Sequence, residues 1–321
     1  MIPTGDPLLY LSSPPQKQRR LRLTPRVRVF LFVSTYILFL SVALDIAVLF
    51  RLRAQGQLTS PVVTLRLLET YVDSVWRGVW LFPGAFLCTW VFQRGINRRP
   101  LRELGLGGGS HFGETLAFGT LLGLFLMTTL FVTLLLTGHL RFIGPATAEP
   151  PVRSHELGLT LYAVLLGLHC LGQVLVAQGY VLHTLAAKGS WAGPLLFTAT
   201  TFALLHGLNF HLTLLGVINV FLLGLLLGYL CLLTQSLWAT WGCYWAWSYA
   251  CGVVYSLPVR GINGLYHLLQ VTLVGDTLLT GGSFGPEGGL YGTAILLLGL
   301  AIVSYAAPIG EEGKEARPET N

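Results

Sequence analysis

The sequence predicts an all-α, polytopic membrane bundle of about eight transmembrane helices. Three observations carry that prediction. Hydrophobic residues make up 53% of the 321, charged residues only 11%, and the mean hydropathy is +0.65. Soluble domains carry about 25% charged residues, so this composition belongs to a chain dissolved in lipid. The second observation is a series of apolar runs near the ~20 residues needed to cross a hydrocarbon core ~30 Å thick. The third is that arginines gather between these runs and not within them.

The predicted helices cover roughly 29–50, 75–93, 114–137, 157–183, 192–208, 212–233, 237–256 and 289–307. The first, from Val29 to Phe50, is too long for a signal-peptide core and no small-residue cleavage site follows it. It reads as a retained anchor. Before it, residues 1–28 hold Lys17, Arg19, Arg20, Arg22, Arg26 and Arg28 among prolines and serines. That is the composition of a basic arm beside a membrane, serving topology or lipid binding.

Placing this arm in the cytoplasm also puts Arg94, Arg98, Arg99, Arg102, Lys188 and the C-terminal tail inside, as the positive-inside rule prefers. Both termini are then cytoplasmic, in a multi-pass protein of the cell membrane. The expected divisions are the arm 1–28, N-terminal helices 29–110, a membrane core 111–307 and a tail 308–321.

Three segments interrupt the apolar pattern. Pro83 falls inside the second span, a Gly-rich turn runs from Gly107 to Gly109, and a polar connection runs from Leu257 to Gly288. The connection is too polar and Gly-rich to span, and reads either as a folded cap over a cavity or as a flexible loop. Asp45 lies near the outer end of the first helix, within reach of Arg51 or Arg53 or of water. The formal charge of +6 does not indicate nucleic acid, because the basic residues lie between spans instead of along an exposed face. All five cysteines fall inside predicted spans without CxxC or metal-ligand spacing, so they read as small apolar packing residues. No HExxH, nucleophile elbow or aspartate pair is present, and no cofactor or metal is expected.

Polar side chains at membrane depth are expensive, and they are where function is sought first. His169 and Gln173 are four apart and share one face of the fourth helix. Gln178 follows on the same helix. Phe202 and His206 end the fifth, with Asn209 just beyond; Asn219 opens the sixth; Tyr244 and Ser248 lie one turn apart on the seventh. These residues line one polar pocket or tie helices together by hydrogen bonds worth ~1 kcal/mol each.

The run from Gln173 to Pro258 resembles the CAAX prenyl protease and bacteriocin-processing (CPBP, or Abi) family of intramembrane endopeptidases. The resemblance rests on GYVL at 179–182, FALLHGLN at 202–209 and NVFLLGLLLGYLCLLTQSLW at 219–238. LRELGLGGG at 101–109, LPVRGI at 257–262 and GGSFGPEGGL at 281–290 extend it to roughly the C-terminal two-thirds. It implies an intramembrane peptidase core whose first motif is Glu-Glu-x-x-x-Arg, second Phe-x-x-x-His and third His-x-x-x-Asn or Asp. In that family a glutamate activates water while His and Asn support the oxyanion.

This chain departs from the pattern where chemistry is expected. Aligning on Gly179 puts Gln173 and Val174 at the two glutamates and Gln178 at the arginine. Phe202 and His206 keep the second motif, whereas Tyr244 and Ser248 stand at the third-motif His and Asn or Asp. Removing a proton from water near neutral pH takes a group of suitable pKa, which an amide lacks. Losing one oxyanion donor alone costs about 3 kcal/mol. Glu156 is seventeen residues before Gln173, about 25 Å along a helix, and Glu287 reaches the pocket only if its loop folds inward. The expectation is therefore a degenerate family member that binds a membrane-embedded peptide, lipid or partner protein within the lipid bilayer. An active endopeptidase with a non-standard site is the alternative, and a transporter the second alternative.

Overall fold

The computed structural model describes residues 23–54, 76–107, 111–145, 155–186, 190–207, 209, 211–263 and 267–306, with the backbone alone at 43–54, 76–80 and 155. Most of the basic arm, the tail 308–321, Lys188, part of the Gly-rich turn and the Asp45 side chain lie outside this description. Within it the chain is a helical bundle, and each of the eight predicted segments coincides with a helix.

In chain order these are α1 (Pro25–Ala54), α2 (Trp76–Val91), α3 (Phe112–Leu136), α4 (His155–Val174), the short α5 (His183–Ala186), α6 (Ala192–Leu205), α7 (Leu214–Thr234), α8 (Leu237–Tyr249), the short α9 (Thr277–Thr280) and α10 (Leu290–Ala306). Four stretches are long and apolar enough to cross a membrane: Pro25–Val42, Phe112–Leu136, Glu156–Ala186 and Leu214–Thr234. The apolar helices Ala192–Leu205 and Leu290–Ala306 are shorter. Leu121, Phe125, Leu204 and Leu297 point outward, which is the favourable direction when the surrounding solvent is hydrocarbon.

Three segments widen into π-helix: Phe92–Ile96 after α2, Leu175–Leu182 joining α4 to α5, and Ala250–Val254 after α8. Pro83 is accommodated inside α2 without ending it. Helix ends are set locally. Thr213 caps α7 by accepting from the Gly216 amide at 3.0 Å, and Gln235 closes it in the left-handed conformation at φ 52°.

α8 is the central strut, packed against α3, α4 and α7. It approaches α3 closely because Gly119 and Gly123, one turn apart, face it. A Cβ at either would collide with the backbone of Ala239 or Cys243. This is the small-residue contact by which helices associate in lipid, where burial from water gives no driving force. Against α4, the indoles of Trp241 and Trp245 donate to the Gly167 and Ala163 carbonyls at 2.8 and 3.1 Å. The two rings stack at 5.6 Å.

A main apolar core spreads over α3, α4, α7, α8 and α10, and a second, between α1, α2 and the 175–182 segment, is built on Phe32, Phe92 and Tyr180. All five cysteines are buried and free.

The 257–288 connection is folded where it is described. β2 (Leu269–Leu273) pairs antiparallel with β1 (Leu140–Pro145). After it come α9, capped by the Asp276 carboxylate on the Leu278 amide at 2.8 Å, and two 3₁₀ turns, Gly282–Phe284 and Pro286–Gly288. The last of these turns is buried in the bundle.

Candidate functional site

The site grows from the helix ends that meet beside α8. His206 closes α6, and its ring sits 4.6 Å from that of Phe202, which is wholly buried. Nδ1 of His206 lies 2.7 Å from the Phe202 carbonyl oxygen. A carbonyl only accepts, so Nδ1 carries a proton there. Nε2 lies 3.3 Å from the Tyr244 hydroxyl, which donates its single proton to Gln173 Oε1. Phe202 meets the Tyr244 ring edge-on at 5.5 Å. Gln173, Tyr244 and His206 thus stand in one polar row across α4, α8 and α6.

The other half of the site is charged. Arg260, in the turn after α8, stands over the Tyr244 ring with Cζ 4.9 Å from the centroid. It donates to Ser248 Oγ at 2.9 Å and pairs with Glu287 at 3.5 Å. Both partners are nearly sealed from solvent, at 4% and 3% exposure. Trp247 donates its indole N–H to the same Glu287 oxygen. Burial works against the charge on Arg260, but the neighbouring carboxylate holds its guanidinium above the ordinary arginine range. Arg260 also takes up a left-handed backbone, φ 50°, a conformation costing about 1–2 kcal/mol for a residue with a Cβ.

Asn219 fixes the carboxylate from behind. Its amide donates to the Glu287 and Gly289 carbonyls at 2.8 and 3.0 Å, and Thr293 donates to its Oδ1 at 2.7 Å. One side chain therefore ties α7, the 286–288 turn and α10 together.

The remaining sequence candidates occupy other surroundings. Val174 is fully buried in the main apolar core. Gln178 is fully buried, and neither atom of its amide has a hydrogen-bond partner among the described residues. It lies in the π-helical segment, where each wide turn sets the helix phase back by about one residue, ~100°. His169 is half-buried one turn before Gln173, and Asn209 is half-buried with its backbone amide on the His206 carbonyl at 3.0 Å. No group of three His, Cys, Asp or Glu side chains suited to a metal occurs among the described residues.

Sequence reasoning did not reach Arg260, Trp247 or the inward turn of Glu287. The signal was faint: one arginine in LPVRGI and one glutamate in GPEGG, both in segments reading as loop.

An all-α bundle of long apolar helices is the architecture of an integral membrane protein. The family comparison agrees with that class. Residues 155–250 match the family described as type II CAAX prenyl endopeptidase Rce1-like, a stretch running from the start of α4 to the end of α8. It contains Gln173, His206, Tyr244 and Ser248 and stops before Arg260 and Glu287. No curated protein and no solved structure matches the chain at a significant level.

Proposed function

We propose that this chain uses the CAAX-protease-type fold for binding: the polar cluster holds a membrane-embedded peptide, a lipid or a segment of a partner protein and does not hydrolyse it. The observation that carries this reading is the engagement of His206. Both ring nitrogens lie against neutral groups, the Phe202 carbonyl and the Tyr244 hydroxyl. No carboxylate stands at the motif positions, where Gln173 and Val174 occur instead. The polar row can recognise an amide or ester; its one candidate base, His206 Nε2, lies against the Tyr244 hydroxyl, and the motif positions supply no carboxylate to activate water. In this reading the protein crosses the cell membrane about eight times with both termini in the cytoplasm.

A second reading, an active endopeptidase with a non-standard site, is favoured by one observation, the buried carboxylate of Glu287. Its Oε2 has no hydrogen-bond partner among the described residues. In that case Oε2 takes a proton from water as the water oxygen attacks a peptide carbonyl; the C–N bond breaks and the amine leaves with the proton.

The test is cleavage of membrane-embedded reporter peptides by purified protein in lipid nanodiscs. The unmodified chain is expected to retain peptide without cutting it. The combined variant Gln173→Glu, Val174→Glu, Gln178→Arg, Tyr244→His and Ser248→Asn is expected to gain cleavage. Cleavage by the unmodified chain that is lost in both His206→Ala and Glu287→Gln would replace the binding reading with the second.

A further inference from the structure

One end of the bundle is strongly basic. The start of α1 and the turns after α2 meet there, because Arg28 Nη1 donates to Asn97 Oδ1 at 3.2 Å. Over described residues 23–28 and 92–107 this rim holds six arginines and one carboxylate, Glu103; Glu114, at the start of α3 on the same end, lies 3.1 Å from His111. Glu103 is already engaged by Arg99 at 3.5 Å. Arg26, Arg94 and Arg102 are exposed. At the opposite end the exposed charges are of both signs, with Arg141 accompanied by Glu156 and Asp276.

The arginines sit directly above apolar surface. Arg26 and Phe30 are one turn apart on α1, and both are exposed. Trp90 lies one turn before Arg94 at the same end of α2, and both are exposed there as well. α1 and α2 are neighbours, joined by the edge-on contact of Phe32 with Phe92 at 5.3 Å. Two adjacent helices therefore repeat one arrangement: a guanidinium at the rim and an aromatic ring one turn deeper. A phosphate suits the first, since guanidinium binds its oxygens in a planar fork. An acyl chain suits the second. Phospholipid joins both in one molecule.

We propose that the rim formed by Arg26 and Arg94 is a binding site for an anionic phospholipid, with its headgroup on the guanidinium groups and its chains along Phe30 and Trp90. The site is separate from the polar cluster and does not depend on how that cluster functions.

The experiment uses full-length protein in nanodiscs of phosphatidylcholine with and without phosphatidylglycerol of matched chains. Lipid remaining on the protein after transfer to mild detergent is counted by native mass spectrometry. Phosphatidylglycerol is expected to be retained in preference to phosphatidylcholine, and rising salt is expected to strip it. Arg26→Gln and Arg94→Gln are each expected to weaken retention about fivefold. Arg141→Gln, at the other end, is expected to leave it unchanged. Equal retention of the two lipids, or an Arg141→Gln effect as large as that of Arg26→Gln, would overturn the site. Occupancy of the rim by inorganic phosphate as readily as by the lipid would overturn the assignment to phospholipid. Thermal unfolding in phosphatidylcholine alone, the same for every variant, separates lost binding from lost folding.

Discussion

The two halves of the polar site are built from opposite materials. The motif half, Gln173, Tyr244 and His206, is a row of polar side chains without a carboxylate, carried on helices. The tail half, Arg260 and Glu287, is a charged pair carried on turns. Ser248 and the Tyr244 ring are where they touch. Charge is thus missing where the family resemblance expects it and present where the sequence reads as loop. Peptide helices can present neutral hydrogen-bonding groups to lipid at modest cost, whereas a buried charge demands a partner. The pair therefore holds Arg260 and the 286–288 turn against the bundle, and the motif row makes no such demand.

If that contrast is sound, the charged half should be far more sensitive to substitution. The largest effect is expected for Glu287→Gln, which keeps the shape but leaves Arg260 buried without its counter-charge. A loss of about 3–5 kcal/mol is expected in unfolding measurements in micelles. Replacing both partners together, Arg260→Met with Glu287→Leu, should cost less than Glu287→Gln alone. A double replacement that costs more would mean the pair is held by something besides mutual charge.

Ser248→Ala removes one hydrogen bond to the guanidinium at 2.9 Å, and a loss of about 1.5–3 kcal/mol is expected. The smallest change belongs to the motif half. Tyr244→Phe deletes the hydroxyl that stands beside His206 and donates to Gln173, but Gln173 is half-buried and can turn to other partners. About 1 kcal/mol is expected, read by the same unfolding assay. A Tyr244→Phe cost equal to that of Glu287→Gln would erase the distinction between the halves.

Hydropathy alone located the eight helical segments, because in lipid a continuous apolar run leaves the backbone few alternatives. The motif side chains were legible for the same reason, since Gln173, His206 and Tyr244 stand out against leucine and valine. Arg260 and Glu287 were not. Each sits among glycines and prolines, and their burial follows from pairing across 27 residues of chain, which no local pattern records. The sequence reads the 257–288 connection equally as cap or loop; its described part is ordered, through a strand partner more than a hundred residues away. Gln178 is a different case. Four-residue periodicity assumes uniform α-helix, and the 175–182 segment does not keep to it.

That segment has a consequence for how the chain tolerates length change. A π-helical bulge is equivalent to an α-helix with a residue inserted, so removing a single residue between Leu175 and Leu182 need not break the rod. It would let a wide turn relax to an ordinary one, and because that turn had already absorbed the extra residue, the helix on either side would keep nearly its present phase relative to His183. Gln173 would stay beside Tyr244. The bulge is thus a place where the rod can lose a residue without being rewound.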